Sequence, residues 1–118
     1  MDRSGGVTAV TLSTHVLDTA RGVPAAGIAI ALYALDGPVR TLLAQTVTNA
    51  DGRTDALATT LTAGTYELVF AVAAYFAATT TAAFYTDIPI RFTFASDCER
   101  YHVPLLLSPW GYATYRGS

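Results

Sequence analysis

An all-β sandwich is the fold class that this sequence predicts, and three observations predict it. Apolar residues recur with a period of two rather than 3.6, as in "VTAVTLSTHVLD" and "GIAIALYAL", the spacing of strands that bury one face. The apolar runs are short and are separated by turn chemistry such as "TARGVPAAG", "DGPVR" and "NADGRTD". The length of 118 residues suffices for one core and not for two. One domain spanning residues 1–118, without internal repeat or linker, is therefore expected.

The elements follow in order. A first strand runs from Val7 to Asp18, with Thr11, Ser13 and His15 on one face and Val16 on the other. A second covers Gly27 to Leu35. The third, "RTLLAQTVTN", ends at Asp51-Gly52, where glycine accepts the positive φ of a tight turn. Further strands are "TYELVFAVA" after Gly64, "IPIRFTFA" from Ile88, "YHVPLLLS" from Tyr101, and "GYATYRG" at the end. Only the short stretch "AAYFAATTTAA" looks helical. The run from Leu68 to Thr86 carries no charge and has about the length of a bilayer span. Its second half lacks Leu, Ile and Val, so it reads as a buried strand leading into a short surface helix rather than a membrane span. Pro89, Pro104 and Pro109 lack the N–H that a ladder needs, so the strands holding them should be edges or locally broken.

Composition narrows the function classes. Hydrophobic residues make up 52% and charged residues 14%, a charge-poor balance that suggests burial beyond the monomer. The net charge is −2, and the seven basic residues are arginines scattered along the chain. Without a basic stripe, nucleic acid is not an expected partner. The start of the chain shows no apolar secretory segment. A lone Cys98 excludes an internal disulfide, and between Asp97 and Glu99 it reads as structural rather than reactive. A cytoplasmic location fits both features.

Few residues offer chemistry. The two histidines, His15 and His102, each lie within a strand, where a lone histidine is more often a half-buried structural residue. Two histidines and one acid-flanked cysteine are too few donors for a metal site, and no phosphate loop or nucleophile elbow is present. Arg53 in "NADGRTD" reads by itself as a solvated loop arginine, and Ser108 in "LLSPW" as a turn former. The C-terminal "YATYRGS" is unusual, because Tyr115, Arg116 and Ser118 crowd an end that is normally small and frayed. The residues alone thus reach a sandwich in which two histidines and an arginine have the chemistry of a site, without showing that they meet.

Taken together, "LSTHVLDTARGVPAAG", "TNADGRTD", "GTYELVF" and "YHVPLLLSPWGYATYRGS" resemble the transthyretin-like family of 5-hydroxyisourate hydrolases, over roughly Val10 to Ser118. The terminal "YRGS" after "HVPLLLSP" is the most specific part, since transthyretin itself, the hormone carrier on the same fold, lacks it. The resemblance implies two four-stranded sheets with one short helix, assembled as a homotetramer whose sites lie in a channel between dimers. It implies hydrolysis of 5-hydroxyisourate in urate breakdown, with no cofactor, no metal and no membrane partner. His15, Arg53, His102 and Ser118 match the family's catalytic positions, and Arg53, Tyr115, Arg116, Gly117 and Ser118 its substrate-binding ones. In this chain Arg100 stands where the family often has a histidine, and Thr86 where a proline is usual. The alternative that the same fold allows is a small-ligand carrier without catalysis.

Overall fold

The computed structural model describes residues 10–54, 57–94 and 100–117. Among these, the strands are β1 (Val10–Asp18), β2 (Val23–Pro24), β3 (Ala29–Asp36), β4 (Val39–Val47), β5 (Ala58–Leu61), β6 (Gly64–Ala71), β7 (Asp87–Phe94), β8 (Arg100–Ser108) and β9 (Gly111–Thr114). The helix α1 (Val72–Ala78) lies between β6 and β7. One sheet has the order β2-β1-β8-β9, with β5 also pairing β1, and the other has the order β4-β3-β6-β7. The sandwich is therefore the expected one. The short strands β2 and β5 escape a sequence reading because two and four residues are too few to display alternation.

Alternation explains the layering. In β1, Leu12, Thr14, Val16 and Asp18 are buried while Thr11, Ser13, His15 and Leu17 are half-exposed. In β8, Tyr101, Val103, Leu105 and Leu107 point inward. Leu12, Val16, Leu105 and Leu107 join Ile30, Leu32, Leu68, Phe70 and Ile88 from the facing sheet in one cluster. Burying such a side chain contributes roughly 1.5–3 kcal/mol. The buried Thr14 is satisfied by donating its hydroxyl to the Val103 carbonyl.

The pairing that matters most for function is the parallel one, between β1 and β8. Its register sets Thr11 against Arg100, Ser13 against His102 and His15 against Pro104. Parallel strands in this register alternate in phase, so the polar face of β1 and the His102 face of β8 share one side of the sheet. Residues almost a whole chain length apart thereby become neighbours.

The uncharged run from Leu68 resolves into the end of β6, then α1 and the loop beyond it. Val72, Tyr75 and Phe76 are buried at helical spacing, and the Tyr75 hydroxyl donates to the buried Asp18 carboxylate at 2.7 Å. Among the described residues, no helix is long and apolar enough to cross a membrane.

The prolines divide. Pro89 does lie on an edge strand, β7, and Pro109 in the turn between β8 and β9. The expectation of an edge fails for Pro104, because β8 runs inside its sheet between β1 and β9. The break appears in its neighbour instead. β9 ends at Thr114, opposite Leu105, one step before the position where Pro104 would have to donate. The Thr114 hydroxyl covers the Pro104 carbonyl at 2.7 Å, and the same register resumes at a bridge between His102 and Gly117. The expected final strand "GYATYRG" is thus interrupted at Tyr115 and Arg116, not frayed. Cys98 and Ser118, with the expected start of the first strand at Val7, lie outside the described residues.

Candidate active site

The site is assembled from β1, the turn at residues 49–53, β8, and the C-terminal tail. The turn is built on Asn49, whose Oδ1 accepts from the backbone N–H of Asp51 (2.9 Å) and of Arg53 (3.0 Å). Gly52 sits at its tip with φ +71°, and a β-carbon there would land on the Val16 carbonyl. Both facts require glycine. In return the Gly52 carbonyl accepts from the Val16 N–H at 2.7 Å. This clamps the turn to β1 and brings Arg53 into a bridge with His15.

The His15 Nε2 lies 3.0 Å from the Asp51 carbonyl oxygen. A carbonyl only accepts, so Nε2 carries the proton in that contact. His102, two register steps from His15 on the adjacent strand, has its Nδ1 2.9 Å from the Ser13 hydroxyl. Nδ1 is committed to Ser13, which leaves Nε2 as the ring nitrogen available for proton transfer. Burial, then the Arg53 cation, then His15 hold the His102 pKa below the ordinary imidazole value, and hydrogen bonding at the Ser13 backbone opposes them. A neutral His102 is therefore favoured at neutral pH.

The tail closes the site. The Gly117 N–H donates to the His102 carbonyl at 2.7 Å. A β-carbon at Gly117 would stand 2.7 Å from His102 Cδ2, so only glycine lets the chain pass this close to the ring. A cavity of about 310 Å³ opens beside these groups, lined by Ser13, Arg53, Thr54, Arg100 and His102 among others. Its walls are rich in hydroxyls and cations. Among the described residues, no group of three or more His, Cys, Asp or Glu could hold a metal ion.

Of the residues expected from sequence, His15, Arg53, His102 and Gly117 come together. Arg116 points elsewhere: its guanidinium lies 4.9 Å over the Tyr101 ring, towards the space between the sheets. Tyr115, next to it, is exposed and does not line the cavity. Ser13 and the Asp51 carbonyl are polar partners that no motif singles out. The only trace of Ser13 in the sequence is its place two residues before His15 on the polar face.

Comparison with known proteins agrees with this architecture. The model of the HIUase/Transthyretin family matches residues 12–117. A 5-hydroxyisourate hydrolase of Mesorhizobium japonicum is 55% identical over 91% of this chain and 91% of its own. The structure of Klebsiella pneumoniae 5-hydroxyisourate hydrolase superposes with a TM-score of 0.83 at 38% identity, covering 92% of this chain and 99% of that one. Sea bream transthyretin in complex with thyroxine superposes with a TM-score of 0.86 at 28% identity, over 91% of this chain and 94% of that one.

Proposed function

Because this chain belongs to the HIUase/Transthyretin family, we propose that it hydrolyses 5-hydroxyisourate, opening a C–N bond of the six-membered ring to give 2-oxo-4-hydroxy-4-carboxy-5-ureidoimidazoline. The observation that carries the reading is the meeting of a pKa-lowered histidine and an arginine on one hydroxyl-lined cavity, with Gly117 of the C-terminal tail packed behind that histidine. A carrier of flat apolar ligands has no need of an imidazole beside a guanidinium.

His102 is the general base. Its Nε2 takes a proton from water as the water oxygen bonds to the ring carbonyl carbon. The same nitrogen returns the proton to the ring nitrogen as the C–N bond breaks. Arg53 faces the cavity with no carboxylate partner among the described residues. Its fork of N–H donors stabilises the oxyanion that forms on the attacked carbonyl. His15, donating to Asp51, keeps the 49–53 turn and hence Arg53 in place. Ser118 positions water or substrate through its hydroxyl or carboxylate, and Tyr115, Arg116 and Gly117 belong with it to the substrate-binding end of the chain.

A homotetramer with sites at a dimer–dimer channel completes this reading. It accounts for Trp110, Phe84 and Tyr115, apolar or aromatic side chains left more than half exposed on a single subunit. The purified protein should accelerate the loss of 5-hydroxyisourate absorbance when the compound is generated by urate oxidase, and should elute as a tetramer. Binding without turnover would establish the carrier alternative instead.

A further inference from the structure

We infer that Ser13 is a positioning residue that holds His102 with its proton on Nδ1, so that Nε2 meets the attacking water as a lone pair; this rests on the hydrolase reading above.

The argument starts from the ring's two edges. Ser13 lies opposite His102 in the β1–β8 ladder and reaches Nδ1 at 2.9 Å. Gly117 packs against Cδ2 on the other edge. Contacts on both edges oppose a flip of the imidazole. A free neutral imidazole distributes its proton between the two nitrogens, and only the form with an unprotonated Nε2 can act as a base there.

A serine hydroxyl supplies what this position needs. It accepts from Nδ1–H when the ring is neutral, and it still accepts when Nε2 has taken a second proton. The tether therefore needs no rearrangement during the proton's transfer to and from water. A carboxylate here would make the imidazolium too stable, and would act against the low pKa that burial and Arg53 impose. A hydroxyl can accept from Nδ1–H and leaves the charge of the site unchanged.

Ser13 is half-exposed on the outward face of β1, so its replacement leaves the core intact. The test compares Ser13→Ala and Ser13→Thr with the parent protein. Imidazole ¹⁵N shifts of His102 are read at about pH 8, where an ordinary histidine of pKa ~6.5 is neutral. The parent and Ser13→Thr should show protonated Nδ1 and bare Nε2. Ser13→Ala should show a mixture or the opposite form. In the hydrolase assay, Ser13→Ala should lose on the order of tenfold in kcat with KM little changed, the scale of one hydrogen bond, and Ser13→Thr should recover most of it. An unchanged tautomer in Ser13→Ala, or a parent protein already protonated at Nε2, overturns the inference. The tautomer measurement is independent of turnover. A parent protein with bare Nε2 but no hydrolysis would refute the proposed activity while leaving the role of Ser13 in holding the ring intact.

Discussion

On the outward face of the β4-β3-β6-β7 sheet, charge is neutralised where it stands. The Glu67 carboxylate, almost wholly buried, receives Arg40 at 3.1 Å and Arg91 at 3.1 Å, and Arg40 also lies 3.9 Å over the Tyr33 ring. On the outward face of β1 and β8 the arrangement is the reverse. Arg53, His15 and His102 are neighbours on one side of the sheet, and burial, then Arg53 and His15, lower the His102 pKa, with no acid paired to them among the described residues. Both faces are polar layers over the same apolar core. Paired charge serves the fold, because each guanidinium satisfies the acid beneath it. A guanidinium and the remaining nitrogen of His102, gathered against a cavity, are left for a substrate.

That contrast can be broken or sharpened by substitution, and the largest effect should come from the site face. His102→Ala should lower kcat by roughly 10²–10⁴-fold, the usual worth of general acid–base help, with little change in thermal midpoint. A variant retaining near-parental turnover would remove His102 from the chemistry. Gly117→Ala places a methyl 2.7 Å from the same ring and should cost on the order of tenfold to a hundredfold by displacing it. Wild-type kinetics in that variant would show that the tail does not hold the ring.

The other face should answer in stability alone. Glu67→Gln leaves two arginines with a weaker partner and should destabilise by about 1–3 kcal/mol in denaturant unfolding, with kcat/KM unchanged. A large activity loss there would mean that the two faces are coupled. The smallest effect concerns titration. Since Arg53 helps to depress the His102 pKa, Arg53→Gln should move the NMR titration midpoint of His102 upward, towards the ordinary ~6.5. The sign also fixes a stability trend in the parent protein. The unfolded chain binds this proton at higher pH than the folded one. His102 therefore weakens folding as pH falls from about 6.5 through its lowered midpoint, and contributes no further change below it.

Much of the site was legible as residues and little of it as geometry. The Asp51-Gly52 signal located the turn, because a tight turn constrains φ locally and only glycine satisfies it cheaply. The period-two pattern placed His15 with Ser13 and Thr11, and His102 opposite Val103, since pleating is a local property. Arg116 shows the limit. The resemblance gave it a substrate-binding role, but nothing in the local sequence foretold that its guanidinium would lie over the Tyr101 ring. Pro104 shows another: the missing N–H was plain, but whether it would end its own strand or its neighbour's depended on a register set at long range.

The sequence by itself determined the class of fold, the burial alternation in β1 and β8, the turn that carries Arg53, and the kinds of side chain available for chemistry. These depend on stereochemistry and apolar spacing within a few residues. Only the tertiary structure decided that β1 and β8 pair in parallel with Ser13 against His102, and that Gly117 returns to the same ring. Such pairings join segments far apart in the chain, and their register is chosen by which packing buries both inner faces at once. No local pattern encodes that choice.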